Sequence, residues 1–380
     1  MIAALKIDRI ETWSCTVPLD QPIDFGQFTI TERKHCLLRM STSDGLTTDV
    51  VGQSRGAPID IAIQDLFAPL LIGRSATNHL EIRRAAAAAM TPLDREGTLN
   101  RAWSLIEIGL QDLRAQAVGL PLWQMLGGDP KPLAVQLIEG YALQEESAES
   151  FVDRLVARVD EGYRLIKVEA AHYETAESLL GRLELFYRLA GNRARLVLDF
   201  AWSWQRPGDH ARLLDGLREF DIAWIEDCFP RTQVNHYREL RRATPLPIGC
   251  GDEASRIEDL LALVDANVVD VIRADATTLG GISAVQELSL VAHRAGIAMS
   301  CHEHPEIHEH LAFGLGCSDH VEMFPSDRPF DCVHKLVETV PECRVSNGLL
   351  IPPDTPGTGV KFVNARVAHY ASRSNITKSS

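Results

Sequence analysis

Apolar and polar positions alternate with period two over residues 7–17, 35–40 and 47–51, with a turn at Ser43-Asp44-Gly45, and predict a small antiparallel sheet near the N-terminus. From about 62 to 126 the spacing becomes helical: Trp103, Ile106, Leu110, Leu113 and Ala117 fall on one face, and the segment closes at Leu126-Gly127-Gly128. The run from Gly127 to Pro132, two glycines and two prolines among six residues, marks a domain boundary at about residue 130. Beyond it, eight short apolar runs alternate with helix-length segments, at 134–138, 164–168, 195–198, 222–225, 247–250, 268–272, 297–301 and 320–323. Repeated βα units in that number close into a (β/α)8 barrel, with a doubly wound open sheet as the alternative. The expected architecture is an α/β chain: an α+β capping domain over 1–130, a modified TIM-type barrel over 131–344, and a segment 345–380 that packs back on the cap. The serine-rich last dozen residues are expected to fray.

Charge and composition narrow the function. Fifty-two acids against 38 bases give a formal −14, so the chain lacks the concentrated basic footprint of a nucleic-acid binder. Eight scattered cysteines form no C-x-x-C pair and suit a reducing compartment. Lys6, Asp8 and Arg9 interrupt the first apolar run too early for a signal peptide, and no run approaches the roughly 18 apolar residues of a membrane span. The expectation is a cytoplasmic protein without a nucleic-acid or membrane partner.

In a (β/α)8 barrel the chemistry sits at the carboxyl ends of the strands. Those ends carry Lys167 and Glu169, then Asp199, Glu226 with Asp227, Asp252 with Glu253, Asp275, His302 and Glu322. Asp199, Glu226 and Asp252 come from consecutive strands, 27 and 26 residues apart, and three converging carboxylates call for a cation. All-oxygen ligation favours magnesium over zinc. The plainer role for any one of them is a helix cap. Lys167 is placed on the far side of the metal from His302, and Asp275 on the neighbouring strand holds the imidazole's tautomer and raises its basicity.

The segments Arg164 to Glu169 (RLIKVE), Leu198 to Phe200, Trp224 to Asp227 (WIED), Gly251 to Ser255 (GDEAS), Asp275 to Gly281 (DATTLGG) and Ser300 to Leu311 (SCHEHPEIHEHL), in this order, resemble the enolase superfamily, mandelate racemase/muconate lactonizing enzyme branch. Leu105 to Gly128 resembles the end of that family's capping domain, and Asn347 to Gly359 its return into that domain. The resemblance implies magnesium on Asp199, Glu226 and Asp252, Lys167 as a catalytic lysine, a His302–Asp275 dyad, and Glu322 as an acid facing the substrate carboxylate or its enolate. It implies abstraction of the proton α to a carboxylate of a small hydroxy acid or sugar acid, and commonly a homo-oligomer.

Two departures from the family pattern bear on the reaction. Its K-x-K at the second barrel strand is here Lys167-Val168-Glu169, so the second lysine is an acid. Glu169 is expected to favour protonated Lys167, which leaves His302 as the base and points to dehydration. An epimerase or cycloisomerase is the alternative, and a barrel that binds metal or metabolite without turnover is the alternative of another class. At the third ligand either Asp252 or Glu253 can reach the ion, with Asp252 favoured by register. Of the weaker signals, His302, His304, His308 and His310 with Glu303, Glu306 and Glu309 read as a separate transition-metal site, or His304 as a substrate contact. Phe25 and Arg55 lie in polar, glycine-rich loops of the kind the family closes over substrate, and Trp202 and Trp204 either wall the pocket or pack on a neighbouring loop.

Overall fold

The strands β1 (Ile7–Asp24), β2 (Thr29–Thr42) and β3 (Thr47–Gln53) form the expected antiparallel meander in the computed structural model, which describes residues 5–379 other than 25–28, 95, 142, 144–145, 172–174, 329 and 339. The helix Thr98–Ala117 packs on this sheet with Leu105 and Gly109, while the predicted stripe of Trp103, Ile106, Leu110 and Leu113 is buried and Trp103 lies against Phe67, ring centres 6.1 Å apart. Two glycines permit the close approach: a Cβ on Gly109 would stand 2.5 Å from Cε of Met40, and one on Gly52 would stand 2.6 Å from Cδ2 of Leu105.

Eight parallel strands follow: β4 (Leu133–Gly140), β5 (Leu165–Glu169), β6 (Arg195–Asp199), β7 (Ile222–Glu226), β8 (Ile248–Cys250), β9 (Val271–Ala274), β10 (Ala298–Cys301) and β11 (His320–Met323). Ladders join β4 through β10 in order, and β11 pairs with β4 on its other side. Side chains bridge the gap between β10 and β11. Nε2 of His320 lies 2.8 Å from Oγ of Ser300, and Arg273 of β9 reaches both Ser300 and Glu322. The sixth barrel strand starts three residues later than the apolar run at 268–272, because Val268 and Val269 are buried in the turn before it. On this strand Arg273 faces into the barrel, onto Glu226, Asp252 and Glu322.

The return segment touches the barrel before it touches the cap. β12 (Val345–Ser346) and β13 (Leu349–Leu350) form a short hairpin, and β13 pairs antiparallel with the start of β4. Its end corrects the expectation of fraying. β14 (Ala371–Lys378) runs antiparallel along β1, from Arg9 opposite Lys378 to Cys15 opposite Ala371, and Arg373 pairs with the buried Asp60. With Ile376 its one large apolar residue, β14 is specified by the open edge of β1 instead of by its own alternation. Among the described residues no helix is long and apolar enough to cross a membrane.

Candidate active site

The ends of β6 and β7 put Asp199 opposite Glu226 in the parallel ladder, and Glu169 pairs with Asp199 on the other side. Asp252 lies beyond β8 and is fixed through its backbone: Asp227 accepts the amides of Gly251 at 2.9 Å and of Asp252 at 3.1 Å. Gly251 has φ +136°, and a Cβ there would meet the carbonyl oxygen of Arg273 at 2.3 Å, so only glycine lets the chain turn here. As a result one oxygen each of Asp199, Glu226 and Asp252 lies within 4.8 Å of the others. Glu253 turns away, with φ +60°, and is taken by two cap arginines: Nη2 of Arg55 sits 2.6 Å from Oε1, and Arg101 holds Oε2. Of the two adjacent acids, only Asp252 joins the trio.

Lys167 stands among these three acids. Nζ lies 2.5 Å from Glu226, 2.9 Å from Asp199, 3.3 Å from Asp252 and 3.6 Å from Glu322. Burial disfavours the ammonium, but Asp199, Asp252, Glu226 and Glu322 outweigh it and hold Lys167 well above the usual lysine range. Four carboxylates keep the lysine charged, in place of the single Glu169 expected. Glu169 is itself pushed well above the carboxylate range by burial and by Asp199. The pocket therefore accepts a cation among oxygen donors, and Oε1 of Glu226 is buried with no well-directed hydrogen bond. An all-oxygen donor set, with the Lys167 ammonium now on Oε1 of Glu226, fits a hard divalent ion.

Arg273, fully buried, is the largest feature that sequence reasoning missed. Nε lies 2.8 Å from Asp252 and 3.1 Å from Glu226, and Nη2 contacts both oxygens of Glu322 at 2.7 and 2.8 Å. Glu322 also accepts from Gln136 at 2.7 Å and from the Glu303 amide at 2.9 Å. With both oxygens engaged, Glu322 anchors Arg273 and does not stand free for a substrate, a correction to its expected role. The signal for Arg273 was its place two residues before Asp275, the strand period that faces both into the barrel.

His302 follows β10. Nδ1 lies 3.3 Å from Oδ2 of Asp275, while Nε2 faces Asp252 at 3.7 Å and Glu303 at 3.6 Å. Asp275 is held by the amide and hydroxyl of Thr277, both at 2.7 Å. Burial opposes the imidazolium, but Asp252, Glu303 and Asp275 raise His302 to about 10. Glu303 and His304 both take positive φ, as do Arg55, Ala201, Trp202, Asp227 and Glu253, so strained backbone gathers around this rim.

The four histidines do not form one metal site. His308 accepts from the Ala276 amide at 2.9 Å and lies 2.6 Å from the Glu303 carbonyl, which assigns its proton to Nδ1. His310 accepts from the Trp123 amide and faces the Thr358 carbonyl, and His304 pairs with Glu306 at 3.0 Å. Each points to different partners. Arg55 is held by Glu253, and Phe25 lies outside the described residues. Trp204 is buried with its ring stacked 3.9 Å from that of His210, so it packs on a neighbouring loop.

Residues 150–366 match the family described as enolase C-terminal domain-like, and residues 9–127 the mandelate racemase / muconate lactonizing enzyme N-terminal domain. A D-mannonate dehydratase of Rhizorhabdus wittichii is 24% identical over 90% of this chain and 92% of its own. A chloromuconate cycloisomerase of Cupriavidus necator is 25% identical over 77% of this chain and 79% of its own. The crystal structure of L-talarate dehydratase from Polaromonas sp. JS666, complexed with Mg and L-glucarate, superposes with a TM-score of 0.87 at 20% identity, covering 99% of this chain and all (100%) of the other.

Proposed function

For a chain that belongs to the mandelate racemase / muconate lactonizing enzyme family of the enolase superfamily, we propose a magnesium-dependent dehydratase that removes the proton α to the carboxylate of a small hydroxy acid or sugar acid. The observation that carries the proposal is the position of His302, with Asp275 on one nitrogen and the Asp199–Glu226–Asp252 trio beside the other. Those three acids would hold the ion, which supplies a Lewis acid for charge developing on the substrate carboxylate. His302 takes the α-proton with Asp275 fixing its Nδ1, the electron pair moves into a Cα–Cβ double bond, and the β-hydroxyl leaves as water with the proton returned by His302. The enol product then ketonises to a 2-keto acid. An imidazolium cannot act as a base, and a cation on Asp252, one of the acids that raise His302, would favour its neutral form.

The engagement of Lys167 by four carboxylates disfavours a two-base racemase and leaves the lysine an electrostatic role. Epimerisation and cycloisomerisation remain the second reading, supported by the cycloisomerase among the relatives. The partner is a small carboxylate and not nucleic acid, which suits a net charge of −14, and the eight free cysteines suit a reducing cytoplasm. The test is a panel of sugar acids and hydroxy acids with magnesium-loaded protein, read as 2-keto acid formed. We expect a product that vanishes with chelator and in His302→Asn. An epimer with its β-hydroxyl retained would move the second reading forward, and a panel inert despite magnesium binding would favour a barrel without turnover.

A further inference from the structure

A second set of ligand-type side chains joins the cap to the segment that follows the barrel. His35 lies on β2, while Asp331 and Cys332 follow β11, and one ligand atom from each lies within 4.8 Å of the others. Nε2 of His35 is 3.4 Å from Sγ of Cys332. A tetrahedral zinc ion with Zn–N of about 2.1 Å and Zn–S of about 2.3 Å sets these atoms about 3.6 Å apart. His35 and Asp331 line a cavity of about 40 Å³ together with His304 and Glu306. At roughly 10–15 Å³ for one water, the cavity has room for an ion with a water or two.

An unpartnered nitrogen on the cavity wall also points to a ligand here. His304 is 4% exposed, its Nδ1 is held by Glu306, and its Nε2 has no hydrogen-bond partner. The neighbouring Arg33 has Glu303 as its counter-charge at 3.8 Å. A thiol, an imidazole and one carboxylate are a borderline donor set, unlike the all-oxygen trio at the barrel rim.

We propose that His35, Cys332 and Asp331 bind a zinc-like divalent ion, with a water in the cavity as the fourth ligand. Ligation replaces the thiol proton of Cys332, which is released to solvent. The ion clamps the cap to the barrel beside the substrate chamber: Gln53 and Glu303 line the same cavity, Gln53 donates to Glu303 at 3.0 Å, and Glu303 faces His302.

The test is a cobalt(II) titration of metal-stripped full-length protein, followed by absorption. A thiolate ligand produces a sulfur-to-cobalt charge-transfer band in the near ultraviolet, which oxygen ligands at the barrel rim cannot. We expect the band to saturate at one equivalent in the wild type and in Asp199→Asn, to be displaced by zinc, and to be lost in Cys332→Ser and His35→Gln. Cobalt bound by the wild type with no thiolate band would overturn the proposal without reference to any variant. So would a band that persists in Cys332→Ser.

Discussion

Lys167 stands where three carboxylates converge, so its ammonium and a divalent ion compete for the same oxygens. Lys167→Met leaves Asp199, Glu226 and Asp252 with less positive charge, and two effects of opposite sign follow. Without metal the variant is less stable than the wild type, because buried carboxylates lose a partner, and its magnesium affinity is higher, because no ammonium has to be displaced. Urea unfolding and magnesium titration calorimetry check the two halves. Equal or weaker magnesium affinity in the variant would show that the lysine does not occupy the ion's place. Arg273 has no such exchange partner. Arg273→Met strands Glu226, Asp252 and Glu322 in the barrel, and urea unfolding should report a loss of about 3–5 kcal/mol, the cost of breaking a buried ion network from one side. A loss under about 1 kcal/mol would mean that Lys167 alone balances the cluster.

At the scale of elements, the barrel strands were legible because parallel strands covered on both faces read as short continuous apolar runs. The reading slipped where burial continued outside a strand, as at Val268 and Val269, and it failed for β14, whose serine, arginine and asparagine offer no alternation. Acids at strand ends could be picked out by position. Their roles could not, since Glu253 and Asp252 are neighbours in sequence and differ only in what the fold brings to each: Arg55 and Arg101 to one, Lys167 and Arg273 to the other. The helix Thr98–Ala117 also carries Asp112, a contact with the return segment that no sequence pattern suggests. It accepts from the Thr358 amide at 2.6 Å and from Gln116 at 2.9 Å, with no cation beside it, and burial raises it from 3.8 to about 6. The folded chain thus holds this proton where the unfolded chain has lost it, so this group's contribution to stability declines as pH rises from about 4 to about 6 and is flat above. Asp112→Asn is less stable at pH 4, with one acceptor fewer, but the stability difference between wild type and variant shrinks by up to about 3 kcal/mol across that window. A difference that is constant with pH would contradict the assignment.

Across the whole molecule, cap and barrel meet at the site through matched charges: Arg55 and Arg101 on Glu253, Arg33 and Gln53 on Glu303. These contacts join residues some 150 to 270 positions apart, which is why only the fold reveals them. They bring Arg33 and Gln53 of the cap onto Glu303, which faces Nε2 of His302 at 3.6 Å. If His302 removes an α-proton only in the magnesium-loaded protein, proton NMR in deuterated water will show it. With magnesium and an accepted sugar acid or hydroxy acid, the α-proton signal is lost in the wild type, by elimination or by deuterium exchange, and is retained after chelation and in His302→Asn. Loss that survives in His302→Asn, or that proceeds without any divalent ion, would contradict it.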